Sequence, residues 1–324
     1  TSRTASPPDP RRPPPARGRR RPGYARRREH RVAFMFLAPW FAGLGLITVG
    51  PIVASLVLSF TDYHLLRTPS WVGLENYQRM WDDPRLHASL LVTVRYVLVS
   101  VPLQLALALG LAMVLDRGAR ALPLYRSIYY LPSLLGGSVA IAILWRRIFG
   151  TEGLINNVLE LPGVSAVADL LGVVPTGWVS HPDHALNTLI ALNVWTFGSP
   201  MVIFLAGLRQ IPAMYYEAAA VDGAGPVRRF FRVTIPLLTP IIFFNLVLQM
   251  INAFQTFTQA FIVSSGTGGP ADSTLFYTLY LYDRGFGSFH MGYASAMAWL
   301  LLMIIAGFTA VNFFASKYWV HYGD

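Results

Sequence analysis

The sequence predicts an all-α membrane protein with six transmembrane helices, and three observations carry that prediction. Apolar residues make up 54% of the 324 and charged residues only 13%, the balance of a chain whose solvent is largely lipid. Six apolar runs reach the roughly 20 residues that a helix needs to cross a bilayer. The basic character lies outside those runs. Residues 1–32 hold eleven Arg against Asp9 and Glu29, whereas the rest of the chain balances fifteen Lys and Arg against fourteen Asp and Glu.

In chain order, residues 1–32 read as a disordered Pro/Arg-rich tail, too low in complexity to build a core. Such a tail could touch nucleic acid or anionic lipid, but a cytoplasmic extension that sets topology accounts for it better, and no nucleic-acid partner is expected. It does not read as a secretory signal, because the apolar run after it is too long and no small-residue cleavage site is evident. A six-span domain is expected over 33–324. Its spans fall at about 33–60, 90–115, 124–149, 185–208, 237–263 and 293–315. Gly50, Pro51, Pro102, Pro132, Gly198, Pro200 and Pro240 lie inside them and predict kinks. With the N-terminus inside, nineteen Lys and Arg fall on inner segments and seven on outer ones. The tail dominates that count. Both termini and a loop at about 211–236 then come out cytoplasmic, and the outer loops carry Asp82, Asp83, Glu152, Glu160, Asp169 and Asp183.

Several chemistries are excluded by what is missing. There is no cysteine, hence no disulfide, thiolate metal site or cysteine nucleophile. Lys317 is the lone lysine and does not sit in a phosphate-cradling GxxxxGK[ST] loop. The chain has no HExxH, no GxSxG and no His pair at metal-ligand spacing. The spans are almost free of Asp, Glu, Lys and Arg, which argues against a proton relay. The expectation is a non-catalytic subunit that itself holds no metal or cofactor.

Two polar features remain. In the fifth span Asn245, Gln249, Asn252, Thr256 and Gln259 are spaced 4, 3, 4 and 3, within an arc of about 80° on a helix; Gln255 lies just off it. Uncharged amides in lipid need partners, so the stripe is either a set of interhelical hydrogen bonds or the wall of a pathway for a neutral, hydroxyl-rich solute. Asn193, Trp195 and Thr196 in the fourth span add the aromatic and amide groups that suit a sugar. The second feature is the loop EAAAVDGAGPVRRFFRVTIP, residues 217–236. Glu217, Ala218, Ala219 and Ala220 favour helix. Gly223 can end it in a left-handed turn, and Pro226 suits the first turn of another helix. Glu217 and Asp222 could pair with basic groups of a soluble partner; the other reading is a solvated helix lying on lipid headgroups.

This loop resembles the signature of the inner-membrane permeases of binding-protein-dependent ABC importers, which reads Glu-Ala-Ala, three residues, Gly, nine residues, Ile, one residue, Leu-Pro. Here Glu217-Ala218-Ala219 is followed at that spacing by Gly223, Val233, Ile235 and Pro236, with Val and Ile in place of Ile and Leu. Residues 71–86, 125–156, 203–224, 266–274 and 292–299 look like the carbohydrate branch of that family, of the maltose or glycerol-phosphate type. The tail has no counterpart.

The resemblance implies the type I importer permease fold in the cytoplasmic membrane of a prokaryote. It implies a second homologous permease subunit about a pseudo-twofold axis and two ATPase subunits, which would bind ATP and Mg. An extracytoplasmic solute-binding protein would deliver the sugar. Glu217, Ala218, Ala219, Asp222 and Gly223 would contact the ATPase. Other readings remain open at this point: import of a phosphorylated sugar alcohol, for which Arg95, Arg146 and Arg147 lie near the outer face, a non-transporting membrane regulator, or a membrane enzyme acting on lipid-linked sugar.

Overall fold

The computed structural model describes residues 34–116, 122–170 and 172–321, so the tail expected over 1–32 lies outside the described residues. Contacts divide the chain into two units, residues 1–54 and 55–324. In the first, residues 34–54 are helical throughout and form most of helix α1, Phe34–Leu58. Its backbone loosens into a π-helical stretch over Leu44–Val49, with the Gly50 amide donating to Gly45 O. None of its most apolar stretch is buried. A helix that is apolar all round and unburied fits a lipid solvent.

The second unit is helical, with no strand among the described residues. α2 (Glu75–Trp81) precedes α3 (Pro84–Asp116), which at 33 residues is about 50 Å long and outreaches a hydrocarbon core of about 30 Å. Then follow α4 (Leu122–Leu135), α5 (Val139–Ile148), α6 (Leu154–Leu159), α7 (Val164–Leu170), α8 (Pro182–Trp195), α9 (Gly198–Leu208) and α10 (Ala213–Val221). α11 (Pro226–Arg229) runs through a π-helical turn, Phe230–Thr234, into α12 (Ile235–Phe254). α13 (Thr258–Val263), α14 (Tyr277–Tyr282) and α15 (Met291–Trp319) complete the described helices.

α3 is the axis of this unit. It packs on α8, α9, α12 and α14. The core therefore runs along its buried face through Tyr96, Val97, Val101, Leu105, Ala108 and Ala112, against Leu189, Met201, Phe204, Leu238, Phe254 and Phe276. Small residues on that face let neighbouring backbones approach, the usual basis of helix association in lipid. Among the described residues four helices are long and apolar enough to span a membrane alone, and counting each of two bent pairs, 124–148 and 182–208, as one span gives the six that the sequence predicts.

The kinks fall in part where Pro and Gly predict them: two breaks lie beside Pro132 and beside Gly198 and Pro200, and the third has neither residue. Pro51, Pro102 and Pro240 sit inside unbroken helices. The breaks fall at 136–138, where α4 and α5 meet at 94°, at 196–197, where α8 and α9 meet at 41°, and at 255–257 between α12 and α13. The third break interrupts the expected 237–263 span, so the helical spacing behind the polar stripe holds through Asn252 and not beyond it.

Each break frees backbone groups that lipid cannot satisfy, and polar side chains take them up. Gln104 Nε2 donates to Thr196 O and Thr196 Oγ1 at 3.1 and 3.0 Å, and Ser133 Oγ donates to Thr196 O at 2.8 Å. Gln259 Nε2 donates to Gly136 O at 3.0 Å. The Thr278 hydroxyl donates to Thr256 O. Ser138 caps the start of α5 by accepting from the Ile141 amide.

Candidate functional site

The three breaks surround one cavity of about 510 Å³. Tyr96 and Gln104 contribute from α3; the midpoint between them coincides with the midpoint of that helix. Ser133, Gly136 and Gly137 come from the first break. Asn193, Thr196 and Ser199 come from the second. Gln249 and Asn252 stand on the last turns of α12, and Gln255 to Gln259 fill the third break and the start of α13. No charged side chain is in this wall.

Two wall groups are buried with no partner among the described residues: Gln104 Oε1 and Asn193 Nδ2, one an acceptor and one a donor. Gln104 is only 2% exposed. Both atoms are closed to water, so the groups left to face an occupant are the other amides and hydroxyls of the wall. A cavity of this size with converging uncharged donors and acceptors can hold a small polar solute.

Of the stripe residues, Gln249, Asn252, Thr256 and Gln259 line the cavity, as does Asn193. Asn245 and Trp195 do not. Asn245 is fully buried and its amide donates to Ile241 O, one turn back along its own helix. Trp195 lies against Trp145, ring centroids 5.8 Å apart. Gln104, Ser133, Ser199 and Gln255 are wall residues that the sequence reading did not select. Gln104 had a signal, being an isolated amide in the apolar stretch 97–115.

The second site is the loop at the Asp116 end of α3. α10 ends on Asp222, and Gly223 follows with φ +71°. The Ala224 amide donates to Ala219 O and the Gly223 amide to Ala220 O, the paired bonds of a Schellman motif. Gly225 and Pro226 then open α11. The two-helix expectation is met in part, because α11 is no separate helix but the first turn of the helix that becomes the fifth span. Glu217, Ala218, Asp222 and Gly223 are exposed and Ala219 is half-buried. Beside them Met214, Val221 and Val227 expose apolar surface. The loop is pinned by Tyr216 Oη against Thr234 Oγ1 at 3.0 Å, by Arg229 Nε donating to Ala224 O at 2.8 Å, and by the Arg209–Asp116 pair at 3.6 Å.

The opposite end of α3 is held by Asp83. Its Oδ1 accepts the Arg85 and Leu86 amides, capping the helix. Its Oδ2 accepts the hydroxyls of Tyr280 and Tyr293 at 2.7 and 2.8 Å, with Arg284 at 3.7 Å. Burial alone would raise the Asp83 carboxyl, but the two hydroxyls, the Leu86 amide and Arg284 together hold it below its ordinary value. Burial, then the bond to Asp83, pushes the Tyr280 phenol up to about 12. Arg85 reaches Asp272 through two hydrogen bonds, 2.9 and 3.2 Å.

The family profile of the binding-protein-dependent transport system inner membrane component matches residues 90–318. The probable ABC transporter permease protein YesP of Bacillus subtilis (strain 168) is 51% identical over 91% of this chain and 94% of that protein. The lactose transport system permease protein LacF of Rhizobium radiobacter is 33% identical over 88% and 93%. Among solved structures, a chain of a bacterial alginate ABC transporter in complex with an alginate pentasaccharide-bound periplasmic protein superposes with a TM-score of 0.72 at 17% identity, covering 91% of this chain and 96% of that one. At that identity the likeness concerns the fold.

Proposed function

The chain belongs to the inner-membrane component family of binding-protein-dependent transport systems, and we propose that it moves a neutral sugar or oligosaccharide through the cavity between its broken helices. The cavity wall carries this reading: amides and hydroxyls converge there, and no charged side chain lines it. Sugar hydroxyls both donate and accept, which suits the amides of Gln249, Asn252 and Gln255 in the wall. A phosphorylated cargo would want a fixed cation, yet Arg146 and Arg147 line a different cavity together with Glu152. The lactose cargo in the name of one relative supports the same class.

In this reading the permease does no covalent chemistry. A second permease subunit completes the pore, in the cytoplasmic membrane of a prokaryote. Separate ATPase subunits bind ATP and Mg and dock on Glu217, Ala218, Ala219, Asp222 and Gly223. A binding protein delivers cargo at the Asp83 end. ATP-driven closure of the ATPase pair moves α10 as a lever, and the spans alternate access to the cavity. ATP and the loaded binding protein act only through their different affinities for the two arrangements.

The test is to purify the chain in mild detergent, identify what accompanies it, and measure ATP hydrolysis. A second six-span protein and a P-loop ATPase, with activity raised by a sugar-loaded binding protein, is the expected result. A lone, ATPase-free homomer would overturn the proposal.

A further inference from the structure

The loop at the Asp116 end carries two cations, Arg228 and Arg232, that form no ion pair among the described residues. Arg228, Arg229 and Arg232 surround a concavity of about 190 Å³, with Asp222 the single carboxylate in its wall. Arg229 is committed to the fold through its bond to Ala224 O. Arg228 and Arg232 are exposed. They stand four residues apart on one helical face, where like charges repel. An anion seated between them turns that repulsion into attraction.

Depth identifies the anion. Arg232 and Arg228 precede Ile235, the first residue of α12, by three and seven positions. At 1.5 Å per residue they lie about 4.5 and 10 Å from the start of that helix. With the hydrocarbon edge taken at Ile235, a polar layer about 5–8 Å thick holds Arg232, and the long Arg228 side chain reaches back into it. Phe231, next to Arg232 on the membrane side of Arg228, is 63% exposed. Exposed apolar groups beside guanidiniums suit an interface with lipid better than open water.

We propose that Arg228 and Arg232 bind the phosphate of an anionic phospholipid on the loop side of the membrane, with Phe231 toward its acyl chains. The site rests on the 226–263 helix lying across the membrane and is independent of the cargo proposed above; its wall shares Ala219 and Asp222 with the proposed ATPase contact. It makes the junction between loop and fifth span sensitive to lipid charge.

The experiment uses the full chain in phosphatidylcholine vesicles doped with either phosphatidylglycerol or phosphatidylcholine bearing the same acyl-chain spin label. The wild type should immobilise the phosphatidylglycerol label preferentially. Arg228→Gln with Arg232→Gln should weaken that preference about tenfold, while the two Arg→Lys changes retain most of it. Adding inorganic phosphate, against chloride at equal ionic strength, should leave the wild-type preference intact. Equal immobilisation of both labels by the wild type overturns the proposal without recourse to any variant. So does a preference that survives the Gln pair. Displacement by inorganic phosphate overturns it in favour of a soluble anion.

Discussion

Gly136 and Thr196 touch across the seam between two broken helices: a methyl group added at Gly136 would overlap Thr196 Cγ2 and would come within 2.9 Å of Pro132 O. The same seam is closed from the other side by Gly198, where an added carbon would meet the Tyr129 carbonyl oxygen. Two breaks, one in each bent pair, therefore share one contact, and the cavity opens beside it.

That contact makes Gly136→Ala a probe of the cavity rather than of general stability. Overpacking of this kind costs about 1–3 kcal/mol. Uptake in vesicles should fall severalfold. Adding Thr196→Ser, which removes the clashing methyl and keeps the hydroxyl that accepts from Gln104, should recover part of the loss. No recovery would mean that the Pro132 carbonyl, not Thr196, sets the limit.

Gln249→Leu with Asn252→Leu should lower uptake while ATPase stimulation by the binding protein largely persists. Asn245→Leu should leave cargo affinity unchanged, because that amide bonds within its own helix. Dose–response curves of uptake for the two variants separate a cavity wall from a helix-internal bond. Equal affinity in both would return the stripe to a packing role.

Gly223 adopts φ +71°, a region that costs other L-residues roughly 1–2 kcal/mol and that Asn tolerates best. ATPase coupling should therefore fall in the order wild type, Gly223→Asn, Gly223→Val. Glu217→Lys should uncouple hydrolysis from transport with no loss of membrane protein. Both are read from stimulated ATPase rates, and normal rates in Gly223→Val and Glu217→Lys would end the docking role of the loop.

The depressed Asp83 carboxyl gives a pH signature. A group whose folded pKa lies below its unfolded value contributes stability above the unfolded value and loses it as pH falls through the folded one. The Tm of the purified chain should accordingly drop on acidification below the ordinary carboxylate range. Asp83→Asn should flatten that segment and lower Tm at neutral pH, because the Tyr280 and Tyr293 hydroxyls lose a charged acceptor. A Tm profile of the variant parallel to wild type would remove Asp83 from the acid response.

The span number was legible because apolar length is a one-dimensional property, and the Gly223 turn because a left-handed cap has a strong residue preference. Two of the breaks carried a mark, Pro132 for one and Gly198 with Pro200 for the other, but Pro102 and Pro240 leave α3 and α12 unbroken, so the residue type alone does not select them. At 255–257 a helix ends with no Pro or Gly, its freed Thr256 carbonyl being taken by Thr278, 22 residues away. Half of the polar stripe was visible as periodicity on α12. Gln104 and Ser133 belong to the wall only because distant helices break beside them, and spacing along one helix carries no trace of that. Trp195 fitted a sugar by chemistry and points to Trp145 by geometry.

α3 runs without a break past the cavity while the helices packed on it are broken at that depth. If the breaks act as hinges, α3 is the natural fixed reference for measuring them. A probe pair with one label on α3 reads the displacement of a single hinged neighbour, whereas a pair placed on two hinged helices returns only the difference of two motions.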